Sequence, residues 1–173
     1  MNRHAMRELV VQTLYQIDVG AKQMAEAIWL MEAFVLDLKT EALASIDDLI
    51  LDSKEKTADP KTPKLTQAMV ENAFVIEEFY FTKLEGIIDR LATIDQLIID
   101  NLEGWSIARL NKVDKAILRL AVYEMLEGVT PIKIVINEAI ELTKNFTDTG
   151  DHKAASFNNK LLDKIRKKLE VSR

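Results

Sequence analysis

The stretch of sequence between residues 111 and 131 decides the fold class. It reads NKVDKAILRLAVYEMLEGVTP, in which apolar residues recur at the three- and four-residue spacing of one helix face. Asn111, followed three residues later by Asp114, is typical of a helix N-cap with an acid in the first turn. Gly128 fits the end of this helix. Thr130 before Pro131 predicts the start of the next helix, with Thr130 as N-cap, because proline at the first helical position loses no hydrogen bond.

The sequence on both sides of this stretch has the same helical spacing. Apolar residues indicate helices over 3–19 and 24–38, and a single long helix is predicted from about Leu65 to Leu91. The 173 residues include 5 Gly and 3 Pro, which are too few for a turn-rich β architecture. Hydrophobic residues make up 48%, enough for one buried core. We therefore predict an all-α fold of about seven helices in one domain.

One segment interrupts the helical pattern. Residues 53–64 read SKEKTADPKTPK and contain two of the three prolines and almost nothing apolar. This composition predicts a polar loop. The path of residues 39–64 stays open at this stage.

The composition argues against an enzyme. Cys is absent, which excludes disulfides, thiolate metal sites and a cysteine nucleophile. His4 and His152 lack a metal-ligand spacing, and no glycine-rich phosphate loop is present. No secretory signal and no apolar run of about 18 residues is found, so we expect a soluble, cytoplasmic protein. The sequence predicts no catalytic residue, no metal and no cofactor.

Charge is unevenly distributed along the chain. The formal net charge is -5, yet residues 153–173 carry seven basic and two acidic side chains. A surface of this kind can hold a polyanion at one end of the molecule.

A second basic cluster lies at the start of the first helix. Arg3, His4 and Arg7 stand where cations oppose the helix dipole, so they have no helix-stabilising purpose there. Gln12 and Tyr15 follow on the same helix, and a basic and aromatic face can bind RNA through phosphate contacts and base stacking. The alternative is that these cations are simply solvated. The residues alone predict a helical binding module.

Longer stretches resemble a known family. GWSIARL at 104–110, VDKAILRLAVYE at 113–124 and the run from Pro131 through INEAIELTK at 136–144 strongly resemble the NusB family of bacterial transcription antitermination factors. Arg7-Glu8 and QTLY at 12–15 resemble the first helix of that family. The resemblance follows the helix order of the whole chain and is most specific over 104–146.

The resemblance implies both a fold and a function. The fold would have two helical sub-bundles, an N-terminal one of about 1–92 and a C-terminal one of about 93–173. The function would be transcription antitermination, through binding of the boxA element of ribosomal RNA leaders together with NusE, a small-subunit ribosomal protein. The pair would act in an RNA polymerase antitermination complex. No catalysis is implied.

The resemblance also assigns site residues. The family's arginine-rich start corresponds to a thinner basic patch here, and its KFVNG at the start of the last helix appears as SFNNK at 156–160, with Lys160 where glycine usually stands. The implied RNA-binding residues are Arg3, His4, Arg7, Gln12, Tyr15, Lys153, Phe157, Asn159 and Lys160. The implied partner-binding residues are Tyr15 and Asp114. Five strongly matching residues are expected to be scaffold: Trp105, Leu118, Tyr123, Asn137 and Glu138.

Two rival functions remain. The first is a protein-interaction scaffold that keeps the fold and has weakened or lost RNA binding, since the basic patch is thin and each lost phosphate contact lowers affinity. The second is an accessory to an RNA methyltransferase, which the absence of a glycine-rich cofactor loop disfavours. A homodimer is a further arrangement that the resemblance allows.

Overall fold

A computed structural model describes residues 1–20, 23–53, 66–104 and 106–171. This part of the chain is all-α, as predicted. One short 3-10 turn at Ile107–Arg109 accompanies the α-helices, which are α1 Arg3–Gly20, α2 Met24–Ser53, α3 Gln67–Ala73, α4 Glu78–Asp89, α5 Leu91–Ile99, α6 Lys112–Glu127, α7 Ile132–Phe146 and α8 Lys153–Val171. None of these helices is long and apolar enough to cross a membrane. Most of the predicted polar loop, from residue 54 onward, lies outside the described residues.

The ends of α6 follow the local sequence signals. The Asn111 side-chain oxygen accepts a hydrogen bond from the Val113 N–H at 2.9 Å, and Gly128 ends the helix in the left-handed conformation with a φ of 72°. The prediction of Thr130 as the N-cap of α7 is wrong by one residue. The carbonyl of Pro131 accepts hydrogen bonds from the N–H groups of Ile134 and Val135, so Pro131 is itself the cap.

The predicted single helix over 65–91 is instead two helices. α3 ends at Ala73, and α4 begins after a connection in which Phe74 and Ile76 pack against the core. The break changes the register, so Met69 and Ala73, which a continuous helix would bury, are exposed. Within α4, the residues Tyr80, Leu84 and Ile87 have the helical spacing of one face, and all three are buried.

The core is shared by both ends of the chain. One hydrophobic cluster takes residues from α1, α2 and from α4 to α8, and α6 packs against α1, α4, α5, α7 and α8. Because these helices surround one continuous core, the division into sub-bundles near residue 92 stays a prediction.

A buried ion pair joins α1 to the far end of α6. Arg7 is 5% exposed and Glu124 is 1% exposed. Nε and Nη2 of Arg7 each donate to one Glu124 oxygen at 2.9 Å, which is the bidentate geometry that suits guanidinium and carboxylate. The sequence placed Arg7 on the RNA-binding surface, and this placement is wrong. Its guanidinium lies in the core because Glu124, far away in sequence, pairs with it there.

We predict that Arg7→Met destabilises the fold by about 3–5 kcal/mol, because it leaves the Glu124 carboxylate buried without its cation. The double variant Arg7→Met/Glu124→Met removes both charges and should recover most of that loss. Urea unfolding followed by circular dichroism measures both variants. A double variant no more stable than the single one would show that packing, and not charge pairing, is what Arg7 supplies.

Candidate binding surface

The outward face of α1 is polar with one aromatic residue. At about 100° per residue, His4, Glu8, Gln12 and Tyr15 fall within an arc of about 80°. Tyr15 is 38% exposed, and the other three are partly exposed. Arg7 is turned away from this arc into the core. The face predicted for α1 therefore exists, but His4 and not Arg7 is its basic member.

An apolar cavity opens beside Tyr15. Its volume is about 460 Å³, and α1, α2 and the adjoining ends of α6 and α7 form its walls. The side chains that line it are Val11, Gln12, Tyr15, Gln16, Leu30, Met31, Phe34, Val113 and Phe146. Phe34 and Phe146 are both exposed at its edge. The cavity can therefore accept an apolar side chain, with the amides of Gln12 and Gln16 available as polar contacts.

A hydrogen-bond network ties the start of α8 to this cavity. Asp114 lies directly after Val113, and its Oδ1 accepts from Thr147 Oγ1 at 2.8 Å and from Asn158 Nδ2 at 3.0 Å. Asn158 is fully buried and also donates to Thr143 Oγ1 at 2.9 Å. The family resemblance implied Asn159 as the site residue, whereas the buried asparagine of this segment is Asn158. The sequence pattern could have predicted that Asn158 is buried, because helical spacing puts it on the same face as the apolar residues Ala155, Leu161 and Leu162.

The remaining predicted residues of α8 are on its surface. Phe157 is 37% exposed, and Lys153, Asn159 and Lys160 are exposed. Because Asn158 holds this segment against Asp114, the first turns of α8 lie next to the cavity side of the molecule. The structure thus brings Asp114 into contact with the start of α8, while Gln12 and Tyr15 line the cavity to which the neighbouring Val113 also contributes.

The predicted basic patch at the start of α1 is largely neutralised. His4 Nδ1 is 2.8 Å from Glu138 Oε2, and His4 Nε2 is 3.5 Å from Glu8. Arg3 stacks over Phe79 at 4.5 Å and has the Glu77 carboxylate at 3.8 Å. By helix geometry Arg3 lies about 18 Å along the axis from Tyr15. The α1 start therefore offers only Arg3 as a well-exposed cation.

The structure supports the expected scaffold role for some of the five strongly matching residues and not for others. Leu118 and Tyr123 are buried, and Glu138 pairs with His4, as a scaffold role requires. Asn137 is exposed, so the expectation that it packs between helices is wrong; it lies on the outer face of α7. Trp105 lies outside the described residues.

Several basic side chains of α6 also form ion pairs within the protein. Asp18 Oδ2 lies 2.8 Å from Nζ of both Lys112 and Lys115, and Asp18 Oδ1 lies 3.4 Å from Arg119, which also forms a bidentate pair with Asp95. Partial burial acts to raise the pKa of the Asp18 carboxyl, but the two ammonium groups outweigh it and lower the pKa to about 2. These α6 cations therefore hold α1 in place and are poorly available to a ligand.

The described residues contain no candidate metal site. Within residues 1–20, 23–53, 66–104 and 106–171, no three His, Cys, Asp or Glu side chains are grouped so that they could hold a metal ion.

The fold and this surface define a class: an all-α bundle with an aromatic, polar face beside an apolar cavity. A family model described as the NusB family matches residues 4–167. The transcription antitermination protein NusB of an Exiguobacterium species is 32% identical over 168 residues, covering 96% of this chain and 98% of that protein. The chain belongs to the NusB family.

Solved structures show the same fold. NusB of T. maritima is 28% identical, with a TM-score of 0.62 over 96% of this chain and 92% of the other. A structure of antitermination factors NusB and NusE in complex with dsRNA contains a chain that is 21% identical, with a TM-score of 0.63 and 96% of both chains covered. At that identity the second likeness concerns the fold alone.

We predict that the Asp18 cluster makes stability depend on acid pH. The folded pKa of about 2 is below the ordinary value of 3.8, so the stabilisation is complete above about pH 4 and is lost as the pH falls towards 2. For this partly exposed group it amounts to roughly 1–2 kcal/mol. Asp18→Asn should lower the free energy of unfolding at pH 6, and its deficit relative to the wild type should shrink between pH 4 and 2.

Urea unfolding of both proteins at pH 6, 4, 3 and 2.5 measures this dependence. Glu71→Gln, which changes an exposed carboxylate on α3, is the matched control and should run parallel to the wild type. A deficit for Asp18→Asn that stays constant down to pH 2.5 would contradict the assignment.

Proposed function

We propose that this protein is a transcription antitermination factor that binds boxA-type RNA together with a NusE-type protein. The proposal is supported by the exposed face of α1, where Gln12 and Tyr15 line the cavity, and by the hydrogen bond from Asn158 of α8 to Asp114, the residue after Val113 of the cavity wall, in a chain of the NusB family. An exposed aromatic ring can stack on a base of any sequence, and nearby amides can bond base edges.

The RNA would contact both α1 and α8. Tyr15 and Phe157 would stack on bases, since both rings are more than one-third exposed. Lys153 and Lys160 would contact phosphates, with Arg3 as a more distant cation. Gln12, Asn159 and His4 would supply hydrogen bonds. Arg7 acts only indirectly, because its pair with Glu124 sets the position of α1.

The protein partner would cover the cavity. A NusE-type protein would insert an apolar side chain between Tyr15 and Phe34 and would approach the half-buried carboxylate of Asp114. Support comes from the similar structure that holds NusB and NusE with dsRNA. The assembly would then act on RNA polymerase in the cytoplasm. A second copy of this chain is the competing occupant, and a homodimer would close the same cavity.

One observation favours the rival function of a scaffold without RNA binding. Two of the three basic residues at the start of α1 are held by carboxylates, Arg7 by Glu124 and His4 by Glu138. If the remaining contacts are too few, the chain keeps its partner and loses the RNA. Partner binding with no RNA preference would identify this case.

We predict that Tyr15→Ala and Phe157→Ala each weaken boxA-type RNA binding about 5- to 100-fold, the range that loss of one stacked base gives. Fluorescence anisotropy of labelled boxA-type RNA and of a scrambled RNA measures this, with and without the NusE-type partner, at two salt concentrations. Wild-type binding should prefer boxA, tighten with the partner and weaken with salt.

Trp29→Ala is the matched control, because Trp29 is an exposed aromatic residue of α2 that does not line the cavity. It should leave RNA affinity within about twofold of the wild type, far less than loss of a stacked base. If the wild type does not distinguish boxA from scrambled RNA in either condition, the proposed function is wrong. If Trp29→Ala weakens binding as much as Tyr15→Ala, the RNA does not lie on the proposed face.

A further inference from the structure

One face of α8 carries a row of lysines that continues beyond the proposed site. At about 100° per residue, Lys153, Lys160, Lys164 and Lys167 fall within an arc of about 80°, and Phe157 lies in the same arc. This lysine row lies opposite the buried face of the helix, formed by Ala155, Asn158, Leu161, Leu162 and Ile165. Along the axis the row extends about 21 Å.

The row is exposed and carries surplus charge. The side chains of Lys153 and Lys167 are 86% and 65% exposed, and Lys160 is also exposed. α8 contains six basic and two acidic residues in a chain of net charge -5. Cations in the last turn of a helix are expected from the dipole, but Lys153 and Lys160 are in its first half, where the dipole does not favour them.

The carboxylates near the row are weak competitors. Lys153 pairs with Asp151 at 2.9 Å, Lys164 with Glu103 at 2.7 Å and Lys167 with Asp163 at 2.7 Å. All three pairs are solvent-exposed, and such pairs contribute little to stability, so a phosphate can replace the carboxylate at small cost. At the start of α1 the opposite holds, because the Arg7–Glu124 pair is buried.

We propose that the lysine row of α8 is a second phosphate-binding track, which carries the RNA backbone on from the proposed site towards the turn at Glu103. The inference rests on the proposed function. In this chain the phosphate contacts would thus be moved from the start of α1, where the cations are paired, to α8. The RNA bound would be longer than the segment read at Tyr15 and Phe157, and the added part would be bound without sequence preference.

The test compares a short boxA-type RNA with the same RNA extended by six nucleotides at its 5′ or its 3′ end. The readout is the ratio of the two dissociation constants, short over extended. For the wild type we expect a ratio on the order of ten at low salt for one of the two extensions. The plot of log affinity against log salt should be steeper by about 1.4 for that extended RNA, since two further phosphates are neutralised.

Lys164→Gln/Lys167→Gln should reduce this ratio to about one and remove the extra salt dependence. The matched control is Lys39→Gln/Lys133→Gln, which removes the same charge from α2 and α7 and should keep the wild-type ratio. Urea unfolding confirms that both variants are folded.

Three results would overturn the inference. The extended RNA could bind no tighter than the short one, or the control variant could lose the ratio equally. The α8 variant could also keep the ratio and weaken the NusE-type partner instead, in which case the row serves a protein. Failure to distinguish boxA from scrambled RNA would overturn the proposed function alone, because the ratio can be measured with either sequence.

Discussion

The buried pair between Arg7 and Glu124 is the constraint on which the arrangement of the surface depends. A bidentate pair in a dry environment tolerates little displacement, because either charge alone would be costly there. The pair joins the start of α1 to the end of α6, and the Asp18 cluster joins the end of α1 to the start of α6. The two helices are therefore antiparallel and fixed at both ends. Rotation of α1 would break both connections, so the face bearing His4, Gln12 and Tyr15 must point outward.

A second polar network sets the other half of the surface. Asn158 is buried and donates to both Asp114 and Thr143, which places the first turns of α8 against α6 and α7. A buried side-chain amide must be satisfied, so this network selects one register of α8 over its neighbours. Phe157 and Lys160 are then held on the outside of α8. The proposed RNA contacts on α1 and α8 are thus positioned by buried polar residues that do not touch the ligand.

Capping and helix-ending residues predicted local structure well, but they could not predict contacts between residues that are far apart in the sequence. The cap at Asn111 and the stop at Gly128 depend on neighbours within a few residues, and both were predicted correctly. The break between α3 and α4 contains neither proline nor glycine, so the sequence showed no reason to end a helix there. Gly86 is similar: a Cβ at this position would overlap the ring of Tyr123, a contact that only the packing of α4 on α6 creates.

The same contrast between local patterns and long-range contacts applies to the predicted binding residues, and it affects which of them can contact RNA. Tyr15 and Phe157, which the family resemblance implied as RNA-binding residues, are both exposed, and their role in binding stays a prediction. Arg7 was assigned to the surface as part of the basic cluster at the start of the first helix, and its carboxylate partner could not be seen from a sequence separation of 117 residues. When a buried carboxylate holds a cation in the fold, a phosphate cannot replace that carboxylate without a large loss of stability. The charge available to an RNA in this chain would therefore come from Arg3 and from exposed, weakly paired lysines, and on α8 helix geometry aligns such lysines.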